Sequence, residues 1–222
     1  NRYLAQFSFR RDGASNFGKN ARYGNFFSIS GGWNIHNEAF FNADWINNLK
    51  LRASYGSVGN RPNSLYGHMA LYSFSQTYDE NPGALISQLG NPDLSWEKTF
   101  TTGIGLDVSF FNRVNITFDY YDKDTSDLLY QVPLPGVIGV TSIWRNVGSV
   151  NNRGFEASLN VDIIKNENFN WSVDANIGTN KNKVTKLYGD KQEIIVGDGS
   201  GVAGSANKLL KPGNDVDSWY VT

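Results

Sequence analysis

The sequence predicts an all-β protein: about seven to eight antiparallel strands forming a segment of one large transmembrane barrel. Three observations predict it. Apolar and polar residues alternate with period two along seven stretches, aromatic rings gather near the ends of the apolar face, and the connections alternate between short and long.

The alternation comes first. Seven full strands are expected at about 2–11, 25–35, 49–58, 96–110, 113–122, 153–163 and 169–181, and an eighth starts at "SWYVT". Successive side chains of a strand point to opposite faces, so each stretch can be sorted by parity. One parity carries Tyr3, Phe7, Phe9, Ile29, Trp33, Leu51 and Tyr55. It continues through Phe100, Ile104, Leu106, Val108, Phe110, Val114, Ile116, Phe118 and Tyr120, then Phe155, Leu159, Val161, Ile163, Trp171, Val173 and Ile177. Between the first and last of these residues on each strand it holds no charge. The other parity carries Arg10, Arg52, Asp107, Thr117, Asp119, Glu156, Asn160 and Asp174.

A soluble sandwich and a membrane barrel both show such a split. Length separates them. Ten residues at about 3.3 Å each, tilted by roughly 45°, cover about 23 Å, which matches the apolar band of an outer-membrane barrel, whereas ordinary strands have about five or six residues. The aromatics add depth. Trp33, Tyr55, Phe100, Phe110, Tyr120, Phe155 and Trp171 sit near strand ends, while Ile104, Leu106, Val108, Leu159, Val161 and Val173 lie between them. Rings with an apolar body and a polar edge favour the two headgroup levels of a bilayer.

The connections point the same way. "FNR" and "IKNENF" are short and 36–48 is modest, whereas the segments after Arg11, Ser57, Lys123 and Asn182 are long. Short turns at one end and long loops at the other are the asymmetry of an outer-membrane barrel. No run of eighteen apolar residues exists, so no membrane-spanning helix is expected. "NRYLAQFSFRR" reads as a strand and not as a signal peptide, so the chain is expected to be either cytoplasmic or a piece of something longer.

Composition removes several function classes. Twenty basic against 21 acidic residues give a net charge of -1, which is no footprint for nucleic acid. No cysteine is present and the only histidines are His36 and His68, so thiolate chemistry, His-based triads and common zinc sites lack their parts. Neither cofactor nor metal is expected. Gly199, Gly201 and Gly204 form a GxGxxG pattern, but "SANKLLK" reaches Pro212 too soon for the helix a dinucleotide site needs, so a surface loop is expected. Asp107 and Asp119, on the polar parity of neighbouring strands, invite the idea of paired catalytic acids; a hydrated wall explains them better. The long loops hold Tyr66, Tyr72, Phe74, Tyr78, Tyr130, Trp144 and Tyr188 among amides and carboxylates, which suits sugar or peptide binding as well as packing of loops on one another.

Six segments then carry a resemblance: "FRRDGASNFGKNARYGNFFSISGGW", "LKLRASYGSVGN", "NPDLSWEKT", "GLDVSFFNRVNITFDYYDKDTSDLL", "NVGSVNNRGFEASLN" and "WSVDANIGTNKNKVTKL". In type and order they resemble the SusC/RagA-like TonB-dependent outer-membrane transporters; Phe27 stands where that family often has proline. The resemblance implies that residues 1–222 are part of a 22-stranded barrel domain whose plug and TonB-contacting segment lie outside this chain. It also implies outer-membrane lipid around the barrel, a SusD-like surface lipoprotein as lid, the TonB complex as energy source, and an oligosaccharide or peptide as cargo. On that view the chain does no bond chemistry. The alternatives are a soluble β-sandwich that binds glycans and, less favoured, a carbohydrate-cleaving enzyme.

Overall fold

The computed structural model describes residues 1–78, 80–189, 191–196 and 207–220. In chain order the strands are β1 (Tyr3–Gly13), β2 (Tyr23–Asn34), β3 (Ile46–Asn60), β4 (Leu71–Tyr78), β5 (Asn81–Gln88), β6 (Glu97–Phe110) and β7 (Val114–Ser126). Then come β8 (Leu129–Pro133), β9 (Ser142–Asn146), β10 (Ser149–Lys165), β11 (Asn170–Lys186), β12 (Ile194–Val196), β13 (Asn207–Leu210) and β14 (Trp219–Tyr220). Seven of them make one antiparallel sheet in the order β1-β2-β3-β6-β7-β10-β11. The other seven form two hairpins, β4-β5 and β8-β9, and a three-stranded sheet, β12-β13-β14, all apart from the main sheet.

Register keeps the apolar parity on one side across all seven strands. Phe7 pairs with Ile29, Ile29 with Tyr55, Ala53 with Ile104, Leu106 with Phe118, Ile116 with Leu159, and Val161 with Val173. A slip of one residue would turn every one of these to the other face. Among the described residues nothing covers this face: Phe7 is 69% exposed, Ile104 51% and Ile177 70%. A sandwich would bury that face under a second sheet about 10 Å away, so the sandwich expectation does not hold.

Two expectations need correction. The strands run further at the long-loop end than alternation alone indicated, with β10 and β11 at 17 residues each. Apart from Val150 and Val184, "SVNN" and "NKVTK" are polar, so the alternation fades while the backbone ladder continues. Where an eighth strand was expected to start, Trp219–Tyr220 pair with β13 in a small separate sheet, and the last two residues of "SWYVT" lie outside the described residues. Ile163 falls at a bulge, where the pairing passes from Asp162–Ser172 to Ile164–Trp171. The glycine pattern at 199–204 lies outside the described residues.

The short-turn end is closed by a two-residue turn. The Arg113 amide donates to the Phe110 carbonyl at 3.0 Å, and Phe111 and Asn112 take φ of 53° and 52°. That type I′ geometry matches the twist of the strands. Beside it Trp45 stacks on Phe110, centroids 5.6 Å apart. Further along this rim the Trp33 indole donates to Glu38 at 3.0 Å.

At the long-loop end a buried cluster forms from Phe17, Phe26, Leu94 and Trp96. The Phe17 and Trp96 rings lie 4.9 Å apart, and Phe26 meets Trp96 edge-on at 5.5 Å.

Phe17→Ala should remove about 3 to 5 kcal/mol from this cluster. Hydrogen exchange in the full-length protein should then rise across 14–22 and 91–96 and stay unchanged in mid-β6. At the other rim, hydrogen bonds from Trp33 and Tyr3 hold the Glu38 carboxyl below its ordinary range. A carboxyl lowered on folding stabilises above its unfolded pKa, about 4.3, and that contribution is lost as pH falls through the lower folded value. Thermal unfolding followed downward from neutral pH should therefore show a smaller acid loss in Glu38→Gln than in the native protein.

Candidate functional site

The polar parity is built as rows that cross the strands, because residues paired in neighbouring strands share a face. One row runs Arg52, Gly105, Asp119, Glu156, Gly178. The next runs Lys50, Asp107, Thr117, Ser158, Asn176. Arg52 ties the two together. Its Nε and Nη2 donate to the Asp107 carboxylate at 2.8 and 3.0 Å, and Nη2 also reaches Asp119 at 2.9 Å.

That reach spans β6, and Gly105 is what permits it. A Cβ at Gly105 would stand 2.4 Å from Asp119 Oδ1 and 2.6 Å from Arg52 Cζ. The two acids that invited the idea of a catalytic pair thus share one guanidinium, an arrangement that binds the strands to each other.

A third row is a relay of neutral groups ending on a charge. The Ser109 hydroxyl donates to Asn115 at 2.7 Å, the Asn115 amide to Asn160 at 3.1 Å, and the Asn160 amide to Asp174 at 2.8 Å. It crosses β6, β7, β10 and β11. Arg10 pairs locally with Asp12 at 2.8 Å, and Glu156 lies in the Arg52 row without a salt bridge among the described residues.

The loop aromatics do not converge on one spot. Tyr66 and Tyr72 are exposed, and Tyr130 stacks on Tyr188 with centroids 6.4 Å apart. Lys191 lies over the Tyr188 ring at 5.1 Å. Trp144 packs on the buried cluster and lines, with Gln88 and Gln131, a cleft of about 220 Å³ between the two hairpins. The side chain of Tyr78 lies outside the described residues.

Three asparagines that composition alone did not single out clamp the loop bases. Asn16, almost wholly buried, donates to the carbonyls of Pro62 and Ser64 and accepts from Arg61. Asn91 donates to the Trp144 carbonyl at 2.8 Å, and Asn146 joins the carbonyls of Ser95 and Asp127. Gly18 admits the Pro92 carbonyl, which a Cβ would meet at 1.8 Å. A signal was present: Asn16, Phe17 and Gly18 lie in one quoted segment, and Asn91, Leu94 and Trp96 in "NPDLSWEKT". Those two segments are the two sides of one contact.

A seven-stranded antiparallel wall with one uncovered apolar face, one cross-linked polar face and long loops at a single end defines a section of a large β-barrel. The comparisons agree. The family model described as TonB dependent receptor-like, beta-barrel, matches residues 1–210. The chain belongs to that family.

Among curated relatives, TonB-dependent receptor P39 of Formosa agariphila is 44% identical over 84% of this chain and 18% of its own. TonB-dependent receptor SusC of Bacteroides thetaiotaomicron is 34% identical over 100% of this chain and 23% of its own. The chain therefore spans about a fifth of the length of the curated relatives it matches. Among solved structures, the RagAB peptide importer superposes with a TM-score of 0.86 in the state called closed-closed and 0.84 in the state called open-open. In both it is 34% identical over 96% of this chain and 23% of that one.

Arg52→Met should cost about 1 kcal/mol, since it leaves Asp107 and Asp119 facing each other while water still screens them. Thermal unfolding of the full-length protein should show the loss, and adding Asp107→Asn with Asp119→Asn should recover most of it.

Proposed function

We propose that this chain is a portion of the barrel wall of a TonB-dependent importer in the outer membrane of a Gram-negative bacterium. The observation that carries the reading is the register, which holds one uncovered apolar face, charge-free along its middle, in line over seven strands. In this reading Ile104, Leu106, Val108, Val114, Ile116, Phe118, Leu159, Val161 and Val173 meet lipid. Arg10, Arg52, Asp107, Asp119, Glu156 and Asp174 meet lumen water or the plug. The turn at Phe111 and Asn112 is periplasmic and the long loops are extracellular, since outer-membrane barrels have short periplasmic turns.

The cargo is an oligosaccharide or a peptide. Support comes from two directions: a relative at 34% identity is named a peptide importer, and the loops present Tyr66, Tyr72 and the Tyr130–Tyr188 stack as apolar platforms among hydrogen-bonding groups. A SusD-like lipoprotein closes over the loop end, and the TonB complex drives transport through a plug supplied by the rest of the protein. The wall acts as a fixed frame. Its likeness to the closed-closed and open-open states of the RagAB importer is nearly equal, at 0.86 and 0.84, which supports a frame that does not change as the lid moves.

The face assignment is tested by placing one lysine on each side of the sheet in the full-length protein. Leu106→Lys should cost roughly 2 to 4 kcal/mol near the bilayer midplane and deplete the assembled, heat-modifiable form, while Thr117→Lys should assemble normally. Equal assembly of the two would sink the assignment.

A further inference from the structure

Beyond the outer aromatic girdle the strands continue, and their apolar parity turns charged. On β10 the parity of Leu159, Ala157 and Phe155 continues to Arg153; on β11 the parity of Ile177 continues through Thr179 to Lys181. The register sets Arg153 directly opposite Lys181. Two like charges so placed have Cβ atoms about 5 Å apart and destabilise the pair.

Neither cation has a salt-bridge partner among the described residues. The acid that the register sets on the other side of Arg153 is Asp122 of β7. It is engaged elsewhere, because the Asn151 amide donates to Asp122 at 2.5 Å and to Asp124 at 2.8 Å. Arg153 and Lys181 line a depression of about 550 Å³ together with Tyr120 and Phe155, whose rings lie 5.1 Å apart.

We propose that Arg153 and Lys181 bind the phosphate of an outer-leaflet lipid whose acyl chains descend over Phe155, Ala157 and Leu159. The inference rests on the face assignment above, since only on a lipid-facing side does this depression open at headgroup level. Three features make the fit. Aromatic rings mark the headgroup level of a bilayer, and the two cations stand one step beyond them. An arginine grips phosphate through two parallel N–H donors while a lysine adds a point charge. The bound anion also removes the repulsion that the register builds in. A free phosphate would offer the same charge without the chains, and the apolar run below the pair favours the lipid.

The test uses the full-length receptor in dodecyl maltoside, titrated with diphosphorylated lipid A and read by native mass spectrometry. The double variant Arg153→Gln, Lys181→Gln should bind roughly thirty-fold more weakly than the native protein, from about 1 kcal/mol for each cation. Each single variant should lose about fivefold by the same arithmetic, which keeps the test open if the double variant assembles poorly. Arg153→Lys should retain most of the affinity. Lipid A stripped of its phosphates should bind native and variant proteins alike, and excess inorganic phosphate should not displace the lipid. Equal binding of diphosphorylated lipid A by native and variant proteins, or displacement by inorganic phosphate, overturns the site. Because these outcomes are read in assembled protein, they are separate from a failure of the face assignment, which would appear as equal assembly of Leu106→Lys and Thr117→Lys.

Discussion

The structure depends on one constraint, the antiparallel register that keeps a single parity of seven strands on one side. Backbone hydrogen bonds set the spacing of the strands, but they do not distinguish one register from the next. Side chains do. Pairs such as Leu106 with Phe118 and Ile116 with Leu159 place apolar beside apolar, and a one-residue slip would bring Asp119 or Asn160 to that face. On the proposed membrane reading the penalty for a slip is large, since an unpaired polar group finds no water in hydrocarbon.

The polar face reinforces the same register from the other side. Arg52 reaches across β6 to Asp119 only because Gly105 lies between them, and the relay from Ser109 to Asp174 requires each donor to stand opposite its acceptor. Each exposed pair is worth little by itself. Their joint effect is specificity, because every one of these bonds is lost together when a strand shifts. What resembled a catalytic pair is therefore part of the wall's own cross-linking.

At the long-loop end the organisation changes from faces to a small core. Phe26 stands on the polar parity of β2, yet it is buried against Trp96 and leaves room only for glycine at Gly24 and Gly59, where a Cβ would come within 2.6 and 2.1 Å of its ring. The buried amide of Asn16 and the half-buried amides of Asn91 and Asn146 then satisfy backbone carbonyls that irregular chain would leave unpaired. This gives the loops a firm base from which Tyr66, Tyr72 and Tyr130 project.

The sequence by itself determined the seven strands, their faces and the end that carries the loops, because period two, aromatic position and connection length are local properties. It also carried the family resemblance through short motifs such as "NPDLSWEKT". Only the tertiary structure decided what those motifs do: Leu94 and Trp96 meet Phe17 and Phe26 from distant parts of the chain, and no local pattern encodes that meeting. The same holds for the hairpins within the loops, for Trp219–Tyr220 pairing with β13, and for the shared guanidinium of Asp107 and Asp119. Alternation states which way a side chain points. Which side chain it meets depends on register between strands far apart in sequence, and that is settled only when the sheet assembles.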